Sequence, residues 1–128
     1  MKNKYVDGFL FIVQKDKTAD YRKMAQFGKE IWMKHGALDY KECMGDDLHP
    51  EGMGMKPRSF VDAALAKEGE VVWFSFIVFK SRAHRDEVNA KVMSDPAMND
   101  PKMKEMGMLF DGERFCYGGF QVEVDSSI

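Results

Sequence analysis

The segment from Glu70 to Pro96, EVVWFSFIVFKSRAHRDEVNAKVMSDP, constrains the fold more than any other part of the chain. Val71 to Phe79 is β-branched and aromatic almost without interruption, which predicts a strand. Ser81 stops that strand and can cap a helix through its hydroxyl. Val88 and Val92 mark the helix's buried stripe, and Asp95-Pro96 ends it. Alternation puts Val72, Phe74, Phe76 and Val78 on one face of the strand. Val71, Trp73, Ser75, Ile77 and Phe79 fall on the other. Both faces are apolar, so the strand belongs in the middle of a sheet that is covered on both sides.

The preceding chain supplies neighbours for it. Tyr5 to Val13 reads as a first strand, with Tyr5, Asp7, Phe9, Phe11 and Val13 on one face. Asp16 or Thr18 can cap the helix that follows. Its stripe of Tyr21, Met24, Ala25, Gly28, Ile31, Trp32 and His35 has helical spacing, and Gly36 suits the helix end. Leu38 to Met44 reads as a second strand, with Tyr40 and Glu42 sharing a face. Gly45 to Lys56 loses periodicity and collects Gly, Asp, Pro and Met, which predicts a long loop able to act as a lid. The methionines, including Met53, Met55, Met103, Met106 and Met108, are read as packing. Ser59 to Lys67 reads as a short helix with Ser59 and Asp62 in a capping arrangement. Asp95-Pro96 and Asp100-Pro101 mark short helical turns, Asp111-Gly112 a turn, and Arg114 to Val124 a last strand.

The βαββαβ order predicts an α+β, ferredoxin-like sheet of order 4-1-3-2 with helices on one face, as a single domain over residues 1–128. The first and third strands are taken as its one parallel pair. With the helices on one face, the other is expected to carry Phe9, Phe11, Trp73, Ile77, Phe79 and Tyr117. Leaving such residues in water forfeits roughly 1.5–3 kcal/mol each, so a second copy of the sheet is the expected cover. That makes the protein a homodimer, and charges at Phe9 or Ile77 should break association or folding.

Charge excludes several classes. With 19 basic and 21 acidic residues interspersed, the chain lacks the basic stripe of a nucleic-acid binder. No run is long enough to span a membrane, and no signal-peptide pattern opens the sequence, so a cytoplasmic protein is expected. Cys43 and Cys116 match no metal or redox spacing and read as small buried hydrophobes. The histidines His35, His49 and His84 share no metal-building spacing, so no metal or cofactor is expected.

YVDGF near the start, KSRAHRDEVNAKVMSDP after the central strand and LFDGERFCYGGF near the end together resemble the YbaA-like bacterial family. The resemblance covers nearly the whole chain. It implies a dimeric α+β barrel, in which two ferredoxin-like sheets face each other. No activity comes with it, and the site motifs of catalytic members of the wider superfamily are not matched here.

Candidate site residues follow from polar positions on the aromatic sheet face. Asp7 lies among Tyr5, Phe9 and Phe11, Glu42 beside Tyr40, and Ser75 between Trp73 and Ile77. A carboxylate buried among aromatics can serve as a general acid or base. Asp7 and Glu42 are therefore the candidate catalytic pair. Phe9, Trp73, Ser75 and Tyr117 are the candidate ligand-binding residues, with the Gly45–Lys56 loop above them. His84, near the start of the helix after the central strand, is a further candidate, though packing with one hydrogen bond explains it as well. Arg82, His84 and Arg85 could meet an anion, and Gly118-Gly119 marks a bulge or a close approach rather than a phosphate loop. Two functions fit: a dimer binding a small, partly apolar molecule with cofactor-free acid–base chemistry, or a non-catalytic dimerisation or stress-associated module.

Overall fold

A computed structural model describes residues 3–52 and 54–128, with only the backbone of Met106. The readings of Met53 and of the Met106 side chain lie outside the described residues.

The strands are β1 (Tyr5–Gln14), β2 (Asp39–Met44), β3 (Glu70–Phe79) and β4 (Cys116–Gln121). The helices are α1 (Thr18–Lys34), α2 (Phe60–Ala63), α3 (Arg82–Ser94) and α4 (Pro101–Met106). Local chemistry sets most helix ends as the sequence suggests, but α1 starts after Lys17 without a side-chain cap, so neither Asp16 nor Thr18 caps it. Ser59 caps α2 by accepting from the Asp62 amide, and Ser81 caps α3 by accepting from that of His84. Asp95 and Asp100 each cap the turn that their following proline begins. Gly36 follows α1 at φ +109°, a conformation that disfavours any side chain. Strand β4 starts later than expected, because Asp111 caps a 3-10 turn over Gly112–Arg114 through the Glu113 amide.

The fold is α+β, a four-stranded antiparallel sheet of order β2-β3-β1-β4. Strands β1 and β3 are antiparallel, from Tyr5 opposite Phe79 to Gln14 opposite Glu70, which corrects the expected parallel pair. The geometry requires this. A helix between β1 and β2 makes those two strands co-directional, and the return from β2 into adjacent β3 reverses the chain.

The faces also exchange roles. Phe11, Trp73, Ile77 and Phe79 are all buried beneath the helices, against Tyr21, Ala25 and Ile31 of α1 and Val88 and Val92 of α3. The uncovered face carries Val6, Leu10, Phe74, Phe76, Val78 and Phe120 instead. Only its far end is closed, where α2 and Leu48 pack on Ile12 and Val72. Alternation separates two apolar faces but cannot say which one the helices choose; the hand of the crossover decides that. Ile77, proposed for a dimer-breaking charge, is therefore a core residue. Cys43 and Cys116 are free and exposed, not buried; they pair with Phe74 and Leu10 and so share the uncovered face.

Candidate functional site

Between the sheet and the helices lies a cavity of about 150 Å³. Phe9, Phe11 and Ile77 form its floor, Tyr21 and Trp32 of α1 one wall, and Met103, Phe110 and Phe115 the cover. Its volume equals roughly five water molecules at about 30 Å³ each, or one six-membered ring. The cover comes from the chain between α3 and β4, not from the Gly45–Lys56 loop. That loop leaves β2 at Met44, opposite Trp73, and folds onto the other side of the sheet through Leu48. Arg114 fastens the cover: its guanidinium meets Glu70 of β3 at 2.7 Å through two nitrogens and donates to the Leu65 carbonyl at 2.9 Å.

The polar edge of the cavity is built around Glu42. Its Oε1 accepts from the Tyr21 hydroxyl at 2.7 Å and from Ser75 at 2.6 Å, and its Oε2 accepts from Tyr40 at 2.8 Å. Cross-strand register makes this arrangement: Glu42 pairs with Ser75 and Tyr40 with Ile77, while α1 lowers Tyr21 from above. Burial, and then the Glu42 charge, push both tyrosine hydroxyls far above their ordinary range, so each remains a donor. A carboxylate offers about four acceptor directions, so three hydroxyls leave Glu42 with one, on the Tyr40 side.

Asp7 belongs to a different cluster. It is 1% exposed, bound by Arg85 Nη1 at 2.7 Å, Asn89 Nδ2 at 3.3 Å and the Tyr117 hydroxyl at 3.2 Å. It pairs with Ile77, whereas Glu42 pairs with Ser75 and lies beyond β3, two strand spacings across and two residues along, or about 12 Å away. Phe9 joins the clusters, lining the cavity and stacking on Tyr117 at 4.9 Å between ring centroids. Arg85 also lies over the Tyr5 ring, which itself occupies the space a side chain at Gly119 would need. That close approach is the reason for glycine there.

Of the sequence-derived residues, Glu42, Ser75 and Phe9 line the cavity. Trp73 lies beside it, packed edge-on to Tyr21 with centroids 4.8 Å apart. Tyr117 and Asp7 form the ion-pair cluster. His84 is in neither; its Nδ1 accepts from the Lys80 amide at 2.9 Å and its ring packs on Phe79. Sequence reasoning missed Tyr21 and Tyr40 as site residues, although both stood on the correct faces. It also missed Phe110 and Phe115, which come from a stretch without periodicity. Among the described residues, no group of three His, Cys, Asp or Glu side chains could hold a metal ion, and no helix is long and apolar enough to cross a membrane.

A family described as a protein of unknown function, DUF1428, matches residues 4–112. The chain belongs to that family. The uncharacterized protein YbaA of Escherichia coli K12, with which this DUF1428 chain is 44% identical over 124 residues, is covered to 98% and covers 95% of this chain. YbaA of Shigella flexneri matches equally. Among solved structures, the fold resembles a putative antibiotic biosynthesis monooxygenase from Nitrosomonas europaea, at 11% identity and TM-score 0.59, covering 96% of this chain and 93% of that one. It also resembles a NIPSNAP family protein from Agrobacterium tumefaciens, at 13% identity and TM-score 0.57, covering 95% and 88%. SnoaB, a cofactor-independent oxygenase from Streptomyces nogalater, aligns over 97% of both chains at 11% identity and TM-score 0.54. These likenesses concern the fold.

Proposed function

We propose that this DUF1428 protein is a homodimeric α+β barrel whose subunits each bind a small, mostly apolar molecule in the cavity beside Glu42. The observation that carries the reading is the pairing of that aromatic cavity with one hydroxyl-held carboxylate. An apolar ligand of about one ring fills the space, and a hydroxyl or N–H on it takes the acceptor direction that remains on Glu42. Glu42 is also the group placed to receive a proton from such a ligand, without a cofactor, while Tyr21 and Tyr40 hold its orientation. Asp7 has no part in this; its charge is matched by Arg85. Three hydroxyls on Glu42, with one acceptor direction left, favour binding over turnover.

The dimer part rests on the uncovered face, where Phe74 and Phe120 remain largely exposed. A second copy laid on that face would bury them and leave each cavity on the outer, helical side. The alternative reading, a dimerisation module without a ligand, uses the same face and differs only at the cavity.

A thermal-shift screen of small alcohols, phenols and amines on the parent, Glu42→Gln and Asp7→Asn tests the site. Compounds that stabilise the parent and Asp7→Asn but not Glu42→Gln are the expected result. Equal shifts in all three would move the site elsewhere, and an absence of hits would leave the dimerisation module.

A further inference from the structure

Outside the cavity, α1 and the edge strand β2 enclose a groove lined by two cationic side chains. Arg22, Gln26 and Lys29 line it from α1, at successive positions along one face. Neither Arg22 nor Lys29 has a carboxylate partner among the described residues. Trp73 lines the same groove and is 3% exposed, and its indole N–H is the one buried side-chain polar atom without a hydrogen bond among the described residues. Leaving such a donor unmatched is costly, and buried polar groups in folded proteins nearly always find an acceptor. The groove contains one carboxylate, that of Glu42, and three hydroxyls already occupy it. Two cations without a carboxylate partner thus line a groove beside a tryptophan whose buried N–H has no acceptor.

Glu42 and Tyr40 line both the groove and the apolar cavity, so the two spaces meet at these side chains. We propose that the ligand is a small organic acid: its apolar body occupies the cavity, and its carboxylate lies in the groove against Arg22, Lys29 and the Trp73 N–H. This rests on the cavity reading above and adds the charge of the ligand. Arg22 supplies the fork that suits a carboxylate, and Lys29 adds a point charge. Trp73 supplies direction, since an indole N–H donates along one line only.

The two tryptophans separate this inference from the reading it rests on. Trp32 lines the cavity and its N–H is already committed to Asn89 at 3.0 Å; Trp73 lines the groove. Proton–nitrogen correlation spectra of the two indole N–H groups, assigned with Trp32→Phe, would be followed while benzoate or benzyl alcohol is titrated. Benzoate should shift both signals with one dissociation constant and move the Trp73 proton downfield; benzyl alcohol should shift Trp32 alone. The double variant Arg22→Gln/Lys29→Gln should weaken benzoate at least tenfold and leave benzyl alcohol within twofold. An unchanged Trp32 indole position in the free variant would establish that it is folded. If benzoate shifts Trp32 but not Trp73, or binds the double variant as tightly as the parent, the groove assignment is wrong while the cavity stands. If neither compound moves either signal, the cavity reading falls and this inference falls with it.

Discussion

Substituting Phe120 by glutamate tests the dimer at a position that the folded subunit does not need. Phe74 is 46% and Phe120 63% exposed on the uncovered face. With about 200 Å² per phenylalanine, these two leave roughly 200 Å² of ring surface in water. Covering it at about 25 cal/mol per Å² stabilises by about 5 kcal/mol per subunit. Phe120 accounts for about 3 kcal/mol of that, and a two-fold interface meets each patch twice. Losing about 6 kcal/mol raises the dissociation constant by roughly four powers of ten, before the burial of a carboxylate is added. Sedimentation at micromolar concentration should show twice the chain mass for the parent and a folded monomer for Phe120→Glu. The chain carries its own reporters, because Cys43 and Cys116 share that face. Both should react with an alkylating reagent slowly in the parent and rapidly in the variant. A parent that sediments as a monomer, or a variant that sediments with the parent, would refute the assigned face.

Two further predictions concern ion pairs that frame the cavity. Asp7→Asn removes the buried partner of Arg85, which keeps Asp86 at 2.8 Å, and should cost about 1.5–3 kcal/mol in urea unfolding while leaving cavity ligands bound. Glu70 gives a pH dependence: hydrogen bonds from Arg114 first, then from the Lys67 amide, lower its carboxyl from an ordinary 4.5 to about 2. A lowered carboxyl stabilises fully above about 4.5 and loses that contribution as pH falls through about 2. Between those values the parent should therefore lose melting temperature more steeply than Glu70→Gln; parallel curves would exclude the pair as a pH-dependent clamp.

Much of the fold was legible because the signals were local. Caps at Ser59, Ser81, Asp95 and Asp100 act within three residues, and each forms as its sequence suggests. The sheet order followed from the sequence of elements. The choice of covered face did not, since β1 and β3 are apolar on both sides and alternation carries no sign. That one ambiguity placed Phe11, Trp73, Ile77 and Phe79 on the wrong layer, and with them the expected interface. The pairing of Glu42 with Ser75 was legible from shared faces. The cover was not, because Met103, Phe110 and Phe115 reach the cavity through tertiary packing of short turns.

The two carboxylates singled out in the sequence differ in what holds them, and this separates structure from function. Asp7 is 1% exposed and held by the Arg85 guanidinium, so displacing Arg85 strands the aspartate's charge away from water, whereas Arg85 itself keeps a second ion pair with Asp86 at 2.8 Å. Such a pair fixes β1 against α3 and resists exchange. Glu42 is bound only by hydroxyls of Tyr21, Tyr40 and Ser75, all neutral donors. A ligand hydroxyl can take the acceptor direction that these three leave on Glu42 without displacing any of them. Of the two carboxylates, Glu42 therefore combines a remaining acceptor direction with an adjoining space, and a ligand contact is better sought there than at the more deeply buried aspartate.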